Sequence, residues 1–207
     1  MSGRRAELLL LFGVGPALLA LGPRWLVSVG ILASGVLAAV ALRLDPTFPR
    51  GHTWRVASRS ETVRVLVRTA LACAAVLALT ALLSPRPLFA LPRERPVAWV
   101  LIMVLYPISA WAQELAYRTF FFHRYGALFA TARTRVLASA ALFGWAHVAV
   151  NNWLAVGLAT VMGLLIASTF ERTRSTWLVS LEHALYGDFV FTLGLGPLFY
   201  SHARWFG

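Results

Sequence analysis

The amino-acid sequence predicts an all-α fold, a polytopic transmembrane bundle of about seven helical spans that encloses an intramembrane polar cavity. Of the 207 residues, 59% are hydrophobic and only 13% are charged, whereas soluble domains contain about a quarter charged residues. Several apolar stretches approach the roughly 20 residues that a helix needs to cross a bilayer. A few isolated polar side chains inside these stretches predict a polar site at membrane depth, because an unpaired polar group is unfavourable in lipid.

The apolar stretches follow one another through the whole chain, which predicts a single integral-membrane domain over residues 1–207. The segment at 7–22 could instead be the core of a signal peptide, since Arg4 and Arg5 precede it. Pro23 and Arg24 lead directly into the next span without a clear small-residue cleavage motif, which favours a retained first helix. The predicted segments are 7–22, 25–42, 63–84, 97–123, 135–151, 153–170 and 176–200.

Arginine supplies all of the basic charge, and the formal net charge is +11 with no lysine in the sequence. The arginines cluster in short segments between apolar runs, which indicates membrane topology and headgroup contact, with no nucleic acid as a partner. If seven spans alternate, four arginine-rich segments and the N-terminus share the cytoplasmic side. We therefore expect an integral protein of a prokaryotic cytoplasmic (inner) membrane. The four segments are 4–5, 43–61, 124–135 and 171–175, and the exception is 85–96, which contains Arg86.

Three polar side chains on different predicted helices fall at a similar membrane depth. At a rise of ~1.5 Å per residue, Glu114 lies about 15 Å, His147 about 18 Å and His183 about 12 Å from the arginine-rich surface. This agreement predicts one intramembrane site built from the fourth, fifth and seventh segments. Arg118 follows Glu114 by four residues, so the two share a helix face and can form an ion pair. Pro107 is expected to kink or break the long fourth segment.

A carboxylate beside two imidazoles is suited to two kinds of chemistry, and both lead to hydrolysis of an amide bond. Glu114, His147 and His183 could hold a zinc ion with an open fourth position. Alternatively, Glu114 could act without a cofactor as a general base on water, assisted by the histidines. Asn151 or Asp188 could stabilise an oxyanion or orient a histidine. Each residue alone also has a structural interpretation: a buried ion pair, an interhelical hydrogen bond or, for Asn151, a helix end.

The order and spacing of these residues resemble the motifs of the intramembrane CAAX-protease and bacteriocin-processing family. The first motif of that family is two adjacent glutamates, three further residues and an arginine. The second is Phe-x-x-x-His, and the third is His-x-x-x-Asn or Asp. The matching residues are Gln113-Glu114 with Arg118, Phe143 with His147, and His183. The resemblance covers about residues 97–200, the predicted catalytic core, while residues 1–90 contain only generic spans.

The resemblance implies a helical bundle with a water-accessible cavity and an endopeptidase that uses a glutamate-activated water, two assisting histidines and no cofactor. A zinc-dependent mechanism is the alternative. The chain departs from the family at two positions. Gln113 replaces the first glutamate, so Glu114 is the expected base and Arg118 is expected to hold it. The third motif has Gly187 where Asn or Asp is expected, and a local helix bulge would be needed to bring Asp188 into place.

The expected partners are the lipid bilayer and a peptide or membrane-protein substrate, such as a leader peptide, a sorting tail or a single-span protein. Two other functions remain open. A catalytically silent relative would bind a peptide or a partner membrane protein, as an immunity protein does, and Gln113 favours this alternative. A small transporter or channel would use the same polar level as an ion relay, although no inverted repeat supports it.

Overall fold

Helices account for all of the regular secondary structure in the part of the chain that the structure describes. The computed structural model describes residues 2–83 and 88–200, and no strand occurs within these ranges. The predicted all-α fold is therefore confirmed. Arg86, part of the predicted loop at 85–96, lies outside the described residues.

The helices follow one another closely, and several pass from one helical form into another without a break. The elements are α1 Ser2–Leu8, a π-helical stretch Leu9–Val14, α2 Gly15–Leu21, α3 Trp25–Leu44, α4 Gly51–Trp54, α5 Arg59–Leu83, α6 Ala90–Glu94, α7 Pro96–Glu114, a second π-helical stretch Leu115–Phe120, α8 Phe121–Tyr125, a 3₁₀ turn Gly126–Leu128, α9 Ala132–Ala146, a 3₁₀ turn His147–Val150, α10 Trp153–Thr173, α11 Thr176–Thr192 and α12 Pro197–Tyr200.

Among the described residues, four helices are long and apolar enough to cross a membrane. They are Trp25–Leu44, Arg59–Leu83, Pro96–Leu128 and Trp153–Thr173, with 20, 25, 33 and 21 residues. Each coincides with one of the predicted segments. The other three predicted segments are also largely helical. The segment 7–22 contains the first π-helical stretch, and 135–151 ends in a 3₁₀ turn. The segment 176–200 contains α11, a helix of only 17 residues. Length and composition thus support an integral-membrane bundle.

Side-chain caps begin the three helices that follow α8. The Thr131 hydroxyl accepts a hydrogen bond from the Thr134 backbone N–H, and the Thr134 hydroxyl accepts one from the Thr131 backbone N–H. The two bonds form a capping box at the start of α9. Asn152 accepts from two backbone N–H groups at the start of α10, and Ser175 accepts from one at the start of α11. These caps fix where each helix begins, and so they set the height of every side chain along it.

The four arginine-rich segments lie at the same end of the bundle. Asp45, at the end of α3, accepts hydrogen bonds from Thr47 and contacts His123, and these contacts hold the pKa of the Asp45 carboxyl well below its usual range. An ionised Asp45 therefore ties α3 to α8. Ion pairs that connect the segments are Glu7–Arg124, His123–Asp45, Arg135–Glu171 and Arg172–Glu61. Which side of the membrane this end faces stays a prediction.

Two glycines let helices approach closely around the centre of the bundle. A Cβ atom placed on Gly35 in α3 would lie 2.5 Å from Cβ and 2.7 Å from Cα of Ala112 in α7. A Cβ atom on Gly144 in α9 would lie 1.8 Å from the hydroxyl oxygen of Thr160 in α10. Small residues at such contacts are typical of helix packing in membranes. The contact at Ala112 presses α3 against the last turn of α7, immediately before Gln113 and Glu114.

Candidate active site

A change of helical form follows immediately after the glutamate of the first motif. The helix that begins at Pro96 continues through Pro107 without a break, so the predicted break at this proline does not occur. The regular α-helix ends instead at Glu114, and the next six residues, Leu115–Phe120, are π-helical. Single π-helical turns inside α-helices are frequent at functional sites.

Glu114 is fully buried and contacts side chains from its own helix and from α11. Its Oε1 atom lies 2.9 Å from Nδ1 of His183, which is also buried. Its Oε2 atom lies 3.2 Å from Nε of Arg118, so the predicted pair within the fourth segment forms. The exposed fraction of both members of this ion pair is 0%. A charged pair without water contact needs well-placed partners, and the cluster supplies only some of them, since within the described residues Glu114 Oε2 and Arg118 Nε and Nη2 have no hydrogen-bond partner.

Arg118 is held on the side away from the carboxylate. Its Nη1 donates to the Ser139 hydroxyl at 3.0 Å and to the Tyr117 carbonyl at 3.2 Å. Ser139 in turn donates to the same carbonyl at 2.9 Å. The guanidinium carbon lies 4.7 Å from the centre of the Phe143 ring, within range of a cation–π contact. Arg118 therefore connects α9 to the carboxylate of Glu114.

His147 is the first residue of the 3₁₀ turn that ends α9. Its Nδ1 atom lies 2.9 Å from the carbonyl oxygen of Phe143. Because a carbonyl oxygen only accepts, Nδ1 carries the proton and Nε2 carries the lone pair of the neutral ring. The Phe143 ring contacts both histidines, with its centre 5.0 Å from that of the His147 ring and 5.4 Å from that of the His183 ring. The second motif thus places its phenylalanine as the packing contact between both imidazoles.

A cavity of about 1500 Å³ lies beside this cluster. Most of its wall is apolar, and it reaches the outer surface, since the exposed side chains of Trp25 and Trp153 belong to the wall. Polar wall residues are Arg24, Ser28, Ser34, Tyr106, Ser109, Gln113, Tyr117, His147 and Tyr186. Glu114 and His183 do not belong to the described wall, and the rings of Tyr106 and Phe143 contact His183 from neighbouring positions.

Both positions that depart from the family motifs belong to the cavity wall. Gln113 faces the cavity, and its amide nitrogen lies 3.3 Å from the Ser109 carbonyl oxygen and 3.2 Å from the Ser109 hydroxyl. Gly187 is also a wall residue, and α11 stays α-helical through Gly187 and Asp188. The bulge considered for Asp188 is therefore not found. Asp188 is half-buried and lies outside the described wall.

Asn151 lies at a helix end. Its φ is 54°, in the left-handed region, where it ends the 3₁₀ turn after His147. The residue is exposed, and its amide donates to the Ala20 carbonyl in α2 at 3.3 Å. The structure thus places Asn151 in the contact between α2 and the end of α9, and does not bring it to the Glu114–His183 pair.

A second buried ionic cluster lies next to the first one. Glu182 is fully buried, and it accepts from Thr169 at 2.9 Å, from Tyr186 at 3.2 Å and from Arg68 of α5. Arg68 and Glu182 each stand out in the sequence as charges in apolar segments. No spacing rule pairs them, however, because they are 114 residues apart. The cluster joins α5, α10 and α11 directly beside His183.

Within the described ranges, no three His, Cys, Asp or Glu side chains come together as a group that could hold a metal ion. Glu114 uses one carboxylate oxygen toward His183 and the other toward Arg118. His147 bonds to a backbone carbonyl of its own helix, and the Phe143 ring contacts both histidine rings. A zinc ion held by Glu114, His147 and His183 stays the alternative named from the sequence.

The fold and the site together define a class, a polytopic helical membrane protein with a buried glutamate–histidine pair beside a cavity that opens to the outer surface of the bundle. Residues 95–187 match the family model of type II CAAX prenyl endopeptidase Rce1-like proteins. The match extends from the start of α7 to Gly187 in α11, and it confirms the predicted family resemblance over this segment. It supports a CAAX-protease-like endopeptidase. Comparisons with curated proteins and with solved structures give no match.

Proposed function

We propose that this protein is an intramembrane endopeptidase that hydrolyses a peptide bond with a water molecule activated by Glu114. The observation that carries the proposal is the 2.9 Å contact between Glu114 Oε1 and His183 Nδ1, formed directly beside a large cavity whose wall contains His147. A buried ion cluster needs a structural or chemical reason in a membrane protein, and its position beside a cavity favours a chemical one.

The Glu114 carboxylate and His183 act as a pair in the proposed reaction. The carboxylate accepts the Nδ1 proton of His183, which leaves the lone pair on Nε2. A proton taken from water at Nε2 produces an imidazolium ion that the adjacent carboxylate stabilises. Arg118 is a positioning residue, since it holds the second carboxylate oxygen and is itself held by Ser139.

His147 assists from the cavity wall. Because its Nδ1 proton is directed to the Phe143 carbonyl, its Nε2 lone pair can accept a hydrogen bond from the attacking water. His147 can therefore orient a water molecule at the cavity wall, while the Glu114–His183 pair accepts its proton. General acid–base assistance of this kind contributes about 10²- to 10⁴-fold to a rate.

The substrate that fits this cavity is a peptide segment embedded in or attached to the bilayer. The apolar wall suits apolar side chains or an attached apolar group, and the opening at Trp25 and Trp153 faces outward from the bundle. Leader peptides, sorting tails and single-span proteins have this chemistry. We further propose that the arginine-rich end faces the cytoplasm of a prokaryotic cell and that the protein works in its inner membrane.

Comparison of protein termini in three kinds of cells tests this function. Membrane and secreted fractions are collected from cells that lack the gene, cells with the native protein and cells with His147→Ala. New termini that appear only with the native protein establish an endopeptidase and identify its substrate. Identical termini in all three overturn the proposal.

A catalytically silent, peptide-binding protein is the second candidate. Its supporting observation is that Gln113, where the family has a glutamate, lines the cavity, whereas Glu114 does not belong to the described wall. An amide cannot take a proton from water, so this candidate predicts identical termini in the three kinds of cells. It also predicts that a peptide or a membrane protein copurifies with the native chain.

Metal removal is expected to leave the activity unchanged. The proposed mechanism uses only protein side chains and water, so incubation of the purified protein with a strong chelator should alter the cleavage rate by less than about twofold. The rate is measured before and after dialysis, with a zinc peptidase as the positive control for chelation. Activity that disappears on chelation and returns with zinc would overturn the cofactor-free mechanism in favour of a zinc site.

A further inference from the structure

Gly187 leaves space in the cavity wall that a side chain from another helix fills. A Cβ atom on Gly187 would lie 1.9 Å from Cε1, 2.1 Å from Cζ and 2.3 Å from the hydroxyl oxygen of Tyr106. A side chain at position 187 and the observed Tyr106 ring therefore exclude each other. Gly187 lies one helical turn after His183, so the phenol occupies the place beside His183 where a side chain of α11 would otherwise lie.

Tyr106 reaches this place from α7. It belongs to a row of wall residues at helical spacing on that helix, together with Ser109 and Gln113. Its ring centre lies 5.8 Å from the centre of the His183 ring and 5.2 Å from that of Phe191, in edge contacts that fix the ring. The hydroxyl is thus held beside the Glu114–His183 pair and at the cavity.

The proposed reaction needs a hydrogen-bond donor that the histidines do not supply. The Nδ1 proton of His183 is directed to Glu114, and that of His147 is directed to the Phe143 carbonyl. A phenol O–H can donate to a developing oxyanion, and donors of this kind are among the largest contributions to acyl-transfer catalysis.

We infer that the Tyr106 hydroxyl donates to the oxyanion formed at the substrate carbonyl, in the space that Gly187 provides; this rests on the proposed function. The water oxygen bonds to the carbonyl carbon, one water proton passes to the Glu114–His183 pair, and the C=O π electrons move onto the carbonyl oxygen. Tyr106 hydrogen-bonds to that oxygen and keeps its own proton. When the carbon–nitrogen bond breaks, the pair returns the proton to the leaving amine and the C=O bond reforms.

Tyr106→Phe removes the hydroxyl and keeps the ring, and Tyr125→Phe is the control, since Tyr125 is a buried tyrosine outside the described cavity wall whose hydroxyl donates to Glu7. The probe is a tetrapeptide phosphinate with leucine and alanine beside the phosphinyl group, whose charged oxygen mimics the oxyanion. The reference ligand is the ordinary peptide of the same sequence. Binding is measured with the purified protein in detergent, as protection of Cys73 from a maleimide, since this single cysteine belongs to the cavity wall.

The native protein and Tyr125→Phe are expected to bind the phosphinate more tightly than the peptide, and Tyr106→Phe is expected to lower that preference by about tenfold or more. Any cleavage should fall by about 10²-fold with Tyr106→Phe only. An unchanged preference in Tyr106→Phe, or no preference in the native protein, overturns the inference.

The binding readout separates this inference from the proposed function. A preference that depends on Tyr106 in a protein that cleaves nothing supports the donor and overturns the endopeptidase. Cleavage that does not depend on the Tyr106 hydroxyl supports the endopeptidase and overturns the role of Tyr106 as a donor. The variant Gly187→Asn with Tyr106→Ala places an amide in the same space, and recovery of the preference there shows that a donor, and not the aromatic ring, is required.

Discussion

Replacement of Glu114 with glutamine is expected to lower the rate of peptide cleavage by about 10²- to 10⁴-fold, the contribution of general acid–base assistance, because the Glu114–His183 pair can no longer stabilise the proton taken from water. Glutamine keeps the size of the side chain and one oxygen acceptor for Arg118 and His183, but it cannot stabilise an imidazolium ion at His183 by charge. Loss of one partner of a buried ion pair costs about 3–5 kcal/mol, and the remaining acceptor places this variant at the lower end. Cleavage rate and thermal unfolding are both measured on the purified protein.

Glu182→Gln is the matched control for this variant. Glu182 is equally buried, pairs with an arginine and precedes His183 in the same helix, but it lies outside the described cavity wall. We expect a similar loss of thermal stability and a rate within about tenfold of the native value, since no general base is removed. Equal losses of activity in both variants would show that Glu114 acts only through the stability of the bundle.

Gly35→Ala is expected to lower both stability and activity, although Gly35 lies outside the catalytic cluster. The added methyl group would lie 2.5 Å from Cβ, 2.7 Å from Cα and 3.0 Å from the carbonyl oxygen of Ala112, and backbone atoms cannot rotate away. Overpacking of this kind costs about 1–3 kcal/mol. The helices must separate next to Gln113 and Glu114, and a displacement of about 1 Å at a catalytic group can reduce a rate by 10²-fold.

Gly157→Ala is the control for the effect of alanine itself. Gly157 lies in α10, and no atom lies within 4 Å of the Cβ position there. Alanine favours a helix over glycine by about 0.5–1 kcal/mol, so this variant should unfold at the same or a higher temperature and cleave at the native rate. Unfolding temperature and cleavage rate are compared in the same detergent. A native-like Gly35→Ala would show that α3 can move away from α7 without affecting the site.

The helical segments and the three motifs could be predicted because each depends on residues close together in the sequence. Long apolar runs indicate helices directly, and the spacing of Glu114 and Arg118 indicates a shared face. Depth along the predicted helices was sufficient to group Glu114 with His183, because both distances start from the same membrane surface. The capped starts of α9, α10 and α11 explain why these counts work.

Other features of the site could not be predicted, because they depend on how distant segments pack. The pair Arg68–Glu182 and the contact of Tyr106 with Gly187 join helices at particular angles that no local pattern encodes. The π-helical stretch after Glu114 changes which residues face the cavity, yet Leu115–Phe120 has no glycine or proline that would indicate it. The positions of Gln113 and Gly187 in the cavity wall therefore became known only from the packing of the helices.

The order of biosynthesis gives the pair Arg68–Glu182 a further consequence. Synthesis proceeds from the N-terminus, so α5 enters the membrane with Arg68 well before α11 supplies Glu182, 114 residues later. Glu114 likewise enters the membrane before its partner His183, which is synthesised 69 residues later. Since α11 contributes to both buried clusters, its insertion completes them in one step. The glutamate–histidine pair of the proposed endopeptidase therefore forms only after α11 has been made, and a nascent chain that ends before α11 lacks this pair.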